Sequence, residues 1–156
     1  MSQLKVDSII PRGGLPSGAS GGIIQMKQTI KTDKSSTTSN SFIDVSGLSV
    51  SITPQSSSNK VLVRACVSAG TGGGGNDNKI RLLRGGTVIT NDQFVRQGSS
   101  QENHCWVLEE LDSPNTTSST TYKIQFRAAS NEVFINRDGS NELLGQSSII
   151  VMEVGM

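Results

Sequence analysis

Alternation of apolar and polar residues at every second position is the feature that most constrains how this chain folds. The segment at residues 60–69 is the clearest case, because Val61, Val63, Ala65 and Val67 share one phase. A period of two places such a set on one face of a β-strand, whereas a helix requires a period near 3.6. The sequence therefore predicts a strand here, with one face turned toward a core.

The same alternation recurs along the chain, and turns rich in Gly, Ser, Asn or Asp separate the segments. Strands are predicted at residues 22–31, 41–53, 60–69, 78–84, 87–90, 104–111, 121–130, 132–136 and 147–154. A bulge is predicted at Ser46 and Gly47, and a hairpin turn at Gly85 and Gly86. No segment has a helical pattern. We therefore predict an all-β fold, an antiparallel two-sheet jelly-roll sandwich of about eight strands over residues 22–156.

Composition agrees with this fold and limits the partners. The apolar share of 33% and the charged share of 17% are both low, and the formal net charge is only +1. The chain therefore has neither the charge imbalance of a disordered segment nor the basic block of a nucleic-acid-binding protein. No apolar run approaches the roughly 18 residues that a membrane span requires. We expect neither nucleic acid nor a membrane as a partner.

The N-terminal segment, residues 1–21, differs from the rest, because an apolar patch is followed there by a stretch rich in Pro and Gly. The apolar patch consists of Leu4, Val6, Ile9 and Ile10, and Leu15 lies within the Pro- and Gly-rich stretch. The Pro- and Gly-rich stretch cannot hold a helix or a central strand. One interpretation is a frayed terminus. The other is an extended N-terminal arm, and in that case we predict these five side chains as partner-binding residues.

Two predicted strands, at residues 60–69 and 147–154, are apolar on both faces. A strand of an antiparallel sandwich needs only one apolar face, so the second should meet another surface. Packing between identical copies is one interpretation, and scattered exposed side chains are the other. Under the first interpretation we predict a homotrimer whose interface contains Leu62, Ile150 and Met152.

Cys66 and Cys105 are the two cysteines, and together they can form at most one disulfide. Both lie inside predicted strands rather than in loops, so the sequence favours buried free thiols. Whether the two cysteines pair stays open at this level.

No residue pattern indicates an enzyme. Residues 70–75 match G-x-G-x-x-G, but a phosphate site needs a helix after the glycines, and the next segment alternates as a strand. His104 is the one histidine, and Cys105 beside it faces the other side of the strand. Residues 136–142 lack the register of a calcium loop, and Trp106, the one candidate sugar platform, is expected in the core. We predict no catalytic residue, no cofactor and no metal.

Several stretches carry a resemblance to a known group of proteins. They are Leu4-Lys5-Val6-Asp7-Ser8-Ile9, Pro11-Arg12-Gly13-Gly14-Leu15-Pro16-Ser17-Gly18, Ser41-Phe42-Ile43-Asp44-Val45-Ser46-Gly47-Leu48, Lys79-Ile80-Arg81-Leu82-Leu83-Arg84-Gly85-Gly86-Thr87 and Leu111-Asp112-Ser113-Pro114-Asn115-Thr116-Thr117. In these stretches the chain resembles small virion structural proteins of tailed phages that infect cyanobacteria and other aquatic bacteria. The resemblance covers most of the chain. It implies a structural component of the particle, a trimeric jelly roll with a tumour-necrosis-factor-like outline.

The resemblance leaves the position in the virion open. Because the chain begins with its own Met and has no long fibre shaft, we expect a capsid decoration (cement) protein. Such a trimer would hold the major capsid protein, or another virion protein, through residues 4–20. The alternative is a tail-fibre or receptor-binding tip that contacts host surface glycans through residues 70–78 or 98–103. The expected location is the virion, on the capsid surface or a tail appendage, after assembly in the host bacterial cytoplasm.

Overall fold

The computed structural model describes residues 22–73, 77–96, 102–129 and 131–156, and these residues form strands and no helix. The strands are β1 (Ile23–Lys31), β2 (Ser35–Thr37), β3 (Ile43–Ile52), β4 (Lys60–Thr71), β5 (Lys79–Arg84), β6 (Thr87–Val88), β7 (Gln93–Phe94), β8 (His104–Asp112), β9 (Thr120–Arg127), β10 (Val133–Ile135) and β11 (Ser147–Val154). The all-β prediction is confirmed. The predicted arm, residues 1–21, lies outside the described residues.

The strands form two sheets in which all neighbours are antiparallel. In the first sheet β1 pairs with β11, β11 with β4, and β4 with β8. In the second sheet the order is β3-β9-β5-β6, and β7 also pairs with β5. The chain crosses repeatedly from one sheet to the other, and this strand order is that of a jelly roll. The predicted two-sheet jelly-roll sandwich is therefore confirmed.

Two short strands extend the first sheet at one end. β10 pairs with β4 beyond the start of β11, and β2 pairs with β10 on its other side. Neither β2 nor β7 was predicted from the sequence. The sequence of β2 has no apolar residue and that of β7 has only Phe94, so neither carries an alternating signal, whereas the equally short β10 has Val133 and Ile135 in phase.

The core lies between the sheets, as the alternation predicts. In β4 the four alternating residues from Val61 to Val67 are fully buried. From the second sheet, β9 contributes Tyr122, Ile124 and Phe126. Burying each large apolar side chain contributes roughly 1.5–3 kcal/mol to folding. The inward faces of the two sheets therefore hold the sandwich together.

The predicted bulge and hairpin are both present. The pairing of β3 with β9 shifts register between Asp44 and Ser49, where Gly47 has a φ of +76°. Gly85 and Gly86 form the two-residue turn between β5 and β6, and Gly85 has a φ of +56°. Glycine adopts positive φ without the clash that a Cβ causes, which explains its use at both positions.

The expectation of buried free thiols is wrong, because Cys66 and Cys105 form a disulfide with their Cα atoms 6.1 Å apart. Cys66 lies on β4 opposite Val107 of β8, and Cys105 lies on β8 opposite Ser68 of β4. The two cysteines are therefore diagonal neighbours on the outward face of adjacent strands. Cys105 is exposed and Cys66 is partly exposed. The sequence did not reveal that β4 and β8 are neighbours, so it could not place the two sulfur atoms together.

The two described ends of the chain lie side by side at one end of the sandwich. The backbone N–H of Gly155 donates to the carbonyl oxygen of Gly22 over 2.9 Å. Val154 and Lys60 are paired at the same end. We call this the terminal end.

The opposite end of the sandwich we call the distal end. In the first sheet, Thr71 pairs there with Val133, and Ala69 with His104. In the second sheet, Lys79 is paired with Arg127 at this end, where β5 begins and β9 finishes.

Candidate interaction face

A row of large apolar side chains crosses the outer face of the first sheet. The strand register places Met26 beside Met152, Met152 beside Leu62, and Leu62 beside Leu111. Met26 is 61% exposed and Leu111 46% exposed, while the two central side chains are partly buried by their neighbours. Cβ atoms of directly opposed residues in antiparallel strands lie about 4.5–5.5 Å apart. The four side chains therefore form one continuous strip.

A second row lies nearer the distal end of the same face. Here Ile30 of β1 and Val107 of β8 stand at the two edges, with Ser148 and Cys66 between them. Ile30 is 48% exposed and Val107 is 50% exposed. The disulfide is thus part of the same outward surface.

Between these two rows the face is mixed. Ile150 of β11 lies beside Arg64 of β4, and Arg64 lies beside Glu109 of β8. Arg64 Nε is 3.6 Å from Glu109 Oε2, and both side chains are more than half exposed. An exposed pair of this kind contributes at most about 1 kcal/mol. The Arg64–Glu109 pair therefore places one positive and one negative charge in the middle of an apolar surface.

We call this set of side chains the outer apolar face. It consists of Met26, Ile30, Leu62, Val107, Leu111, Ile150 and Met152. Soluble monomeric proteins rarely expose contiguous apolar patches larger than a few hundred Å². The face is therefore the strongest candidate for a contact surface in the described part of the chain.

The structure brings together the three residues that the sequence predicts for the trimer interface. Leu62 and Met152 are directly paired, and Ile150 lies two residues from Met152 on the same face. Sequence reasoning missed Met26 and Leu111, whose alternating phase was visible but whose strand neighbours were not. The predicted partner-binding residues lie outside the described residues. They are Leu4, Val6, Ile9, Ile10 and Leu15.

At the terminal end, the fully buried Glu153 joins three segments of the chain. Its carboxylate accepts hydrogen bonds from Gln25 Nε2 at 2.6 Å, Asn59 Nδ2 at 2.6 Å and the backbone N–H of Gln55 at 2.7 Å. Burial alone would raise the pKa of the Glu153 carboxyl, but the donors from Asn59, Gln25 and Gln55 hold its pKa below the ordinary value. The carboxylate therefore fixes β1, β11 and the β3–β4 loop to one another at the terminal end.

A second buried carboxylate, Asp112, joins the two sheets at the same end. Arg84 Nη1 donates to both oxygens of Asp112 at 2.6 and 2.8 Å, and the Tyr122 hydroxyl donates to Oδ2 at 2.7 Å. Burial and the neighbouring carboxylate raise the pKa of Tyr122, so its hydroxyl stays a donor. This cluster is fully engaged in holding β8 to β5 and β9, and it presents no free reactive group.

His104 and Trp106 lie on the same face of β8, with their ring centroids 6.3 Å apart in an edge-to-face arrangement. His104 is exposed, with Nε2 3.3 Å from Glu102 Oε2. Trp106 is partly buried against the core, as expected, and its indole N–H donates to the carbonyl oxygen of Ala69 at 3.2 Å. The glycine-rich stretch that follows β4 leads to strand β5 rather than to a helix, so it lacks the helix that a phosphate site requires.

The segment at residues 136–142 is a turn. The backbone N–H of Glu142 donates to Asp138 Oδ1, and the backbone N–H of Asp138 donates to the carbonyl oxygen of Glu142. Across residues 22–73, 77–96, 102–129 and 131–156, no group of three His, Cys, Asp or Glu side chains is placed to hold a metal ion. Over the same residues there is no helix of the length and hydrophobicity needed to cross a membrane.

Comparison with known proteins adds a distant likeness. No protein-family model matches the chain, and no curated protein sequence matches it. Among solved structures, the chain is similar to the protein in "The 2.6A structure of Infectious Bursal Virus Derived T=1 Particles", with a TM-score of 0.44 and 11% sequence identity. The match covers 98% of this chain and 41% of that chain, so the chain spans less than half the length of the protein it matches.

Proposed function

We propose that this chain is a structural protein of a virus particle, a capsid decoration protein that assembles as a homotrimer and stabilises the shell. The observation that carries the proposal is the outer apolar face of the jelly roll. A surface of this kind is suited to contact between proteins rather than to catalysis.

The size of the face supports assembly of identical copies. Four strands about 4.8 Å apart, each about nine residues long at roughly 3.4 Å per residue, give a face of about 19 by 30 Å. Its area is about 600 Å², which a trimer divides between two neighbours, so the adjoining edges of the sandwich would have to join each contact to reach the roughly 800 Å² per partner of a stable interface. The resemblance to small phage virion proteins favours three copies. Leu62, Ile150 and Met152 then lie within the contact between copies.

The position of Gly22 supports a role for residues 1–21 in binding the shell. Gly22 lies at the terminal end, beside the last residues of β11. A fully extended segment of this length reaches at most about 75 Å, which is long enough to extend onto a neighbouring protein. Three such arms on one trimer bind with a high effective concentration, so weak contacts add up to stable attachment. The apolar side chains at Leu4, Val6, Ile9, Ile10 and Leu15 would make those contacts with the major capsid protein.

The double change Leu62→Glu and Met152→Glu is expected to convert the trimer to a folded monomer. Both substitutions lie on the outer face, so the core between the two sheets of each chain is unchanged. In a trimer, the two substitutions in each of three copies would bury six carboxylates without partners, and each would cost several kcal/mol. Light scattering after size exclusion should report a mass near 16.5 kDa in place of three times that value. Circular dichroism should show an unchanged strand content.

The matched control is Ser49→Glu with Ser51→Glu, which adds the same charge to exposed positions of β3 in the second sheet. We expect this variant to remain a trimer. A wild-type chain that runs as a monomer would contradict the proposal, as would a control that dissociates while the Leu62/Met152 variant stays assembled.

Deletion of residues 1–20 is expected to leave a folded trimer that no longer binds shells. The deletion removes the predicted partner-binding side chains but none of the described strands. Cosedimentation of the trimer with purified, undecorated shells measures the loss. Full retention on the shells after the deletion would overturn the role proposed for the arm.

A tail-fibre or receptor-binding tip is the second candidate, and one observation favours it. Thr71, the last residue of β4, and Asn103 lie within the segments 70–78 and 98–103 that are expected to touch host glycans, and both are at the distal end, away from Gly22. A trimer held by its terminal end would present these loops outward. The number of copies per particle, measured by quantitative mass spectrometry, separates the candidates: it follows the shell subunits for a decoration protein and the tail for a fibre tip.

A further inference from the structure

The outer face of the second sheet carries two phenylalanine rings, each flanked by two cations. Arg81 Cζ lies 3.6 Å and Arg127 Cζ 5.4 Å from the centre of the Phe42 ring. Beside them, Lys79 Nζ lies 4.7 Å and Arg96 Cζ 4.6 Å from the centre of the Phe94 ring. Both rings lie outside the core and toward the distal end. We call these six residues the cation–aromatic cluster.

The strand register explains why these residues meet. Phe42 immediately precedes β3, whose first residue pairs with Phe126, so Phe42 lies near Arg127 of β9. Arg127 pairs with Lys79 of β5, and Lys79 pairs with Phe94 of β7. Rings and cations therefore form a row across neighbouring strands of the second sheet. The row is about 14 Å long, since strands lie about 4.8 Å apart.

The two arginines at Phe42 are not neutralised by acidic side chains in the described part of the chain. Arg81 donates from Nε and Nη2 to the neutral amide oxygen of Gln125, at 3.0 and 2.7 Å. Arg127 Nη1 is 3.4 Å from the amide oxygen of Asn40. The nearest carboxylate in this network, Asp44, is bonded instead to Lys123 and to the amide nitrogen of Gln125.

Two uncompensated guanidinium groups around one ring form an arrangement that is suited to binding an anion. Contact with the Phe42 ring restricts the orientation of the Arg81 and Arg127 guanidinium groups, so little further ordering is needed when a ligand binds. Guanidinium groups bind carboxylate, sulfate or phosphate with short, charge-assisted hydrogen bonds, often in pairs. An anion placed between Arg81 and Arg127 would also relieve the repulsion between the two charges.

We propose that the cation–aromatic cluster binds the acidic groups of an anionic polysaccharide. The row is a flat strip on a sheet rather than a closed pocket, which suits a polymer. The part of Phe94 that the cations leave open, with 36% of the residue exposed, provides apolar contact for a sugar between the charged groups. Double-stranded DNA carries one negative charge for each roughly 1.7 Å of its axis. Two uncompensated arginines on a chain with a net charge of +1 cannot match that charge density, which disfavours DNA as the ligand. The site requires neither the trimer nor the N-terminal arm.

The test compares the full chain with the double variant Arg81→Gln and Arg127→Gln. The probes are immobilised polygalacturonate, which carries carboxylates, dextran sulfate, which carries sulfates, and neutral dextran. We expect wild type to bind one or both acidic polymers, more weakly as salt is raised, and not to bind dextran. Loss of two charge-assisted contacts should weaken binding by at least about tenfold. The relative affinities for the two acidic polymers identify the preferred acid group.

Two further variants keep the result interpretable. Lys27→Gln with Lys34→Gln removes the same charge from exposed positions outside the second sheet, and its affinity should stay within about twofold of wild type. Arg81→Lys with Arg127→Lys keeps the charge but loses the planar fork, and its affinity should fall between those of wild type and the Gln variant. Wild type that binds neither acidic polymer, binds DNA at least as tightly at the same salt, or loses as much affinity in the Lys27/Lys34 control would overturn the proposal.

Discussion

Replacing Glu153 with Gln is expected to lower the free energy of unfolding by about 3 kcal/mol. The fully buried carboxylate accepts bonds from Asn59 and from the backbone of Gln55 on one oxygen and from Gln25 on the other. An amide in its place removes the charge and turns an N–H₂ group toward at least one of these donors. Urea denaturation of both proteins at pH 7 measures the difference.

The effect of this change should depend on pH with a defined sign. The pKa of the Glu153 carboxyl in the folded chain lies below its ordinary value, which is about 4.3 in an unfolded chain. The stability due to the ionised group is therefore fully present above that ordinary value, and it is lost as pH falls through the lower folded pKa. The gap between wild type and Glu153→Gln should be constant above about pH 5.5 and shrink below about pH 4.3.

Glu109→Gln is the matched control for Glu153, because Glu109 is exposed and only 3.6 Å from Arg64. Its unfolding free energy should change by less than about 1 kcal/mol. Equal effects of the two substitutions, or a Glu153 effect that does not vary with acid, would contradict the role assigned to the buried carboxylate.

Reduction of the Cys66–Cys105 disulfide is expected to lower the free energy of unfolding by roughly 4 kcal/mol. The bond joins positions 39 apart in sequence, and closing a loop of that length removes about this much conformational freedom from the unfolded chain. Guanidinium denaturation with and without a reductant measures the change. The Cys66→Ser, Cys105→Ser double variant should match the reduced protein and should not respond to reductant. Coincident denaturation curves for oxidised and reduced wild type would contradict the expectation.

The sequence predicted the long strands because their alternation is produced locally. In β4, Val61 and Val63 are buried and Leu62 is not, as the phase requires. Phase alone places Glu153 on the same face of β11 as Ile149 and Val151. It could not indicate the donors, since Gln25 and Asn59 come from distant parts of the chain.

What the sequence could not supply is which strands are neighbours. The disulfide and the continuous row from Met26 to Leu111 both depend on the order β1-β11-β4-β8. Phase alone predicted that Leu62, Ile150 and Met152 point away from the core. It did not predict that residues of the edge strands β1 and β8 would lie beside them. Phe94 lies outside the predicted strands. Phe42 lies in the predicted strand at residues 41–53, but its phase could not show that its ring would meet Arg81 of β5 and Arg127 of β9.

Because Gly22 and Gly155 are adjacent, peptides fused at either end of the chain would emerge at the same end of the sandwich. A peptide epitope fused after Met156 would emerge beside Gly22, where it would interfere with the shell contact that we propose for residues 1–21. Gly139 and Ser140 are exposed in the loop between β10 and β11. An epitope inserted between them would be presented toward the distal end, where Arg137 of the same loop is bonded to Asn103. For display on an assembled particle, an internal graft is therefore preferable to a carboxyl-terminal tag.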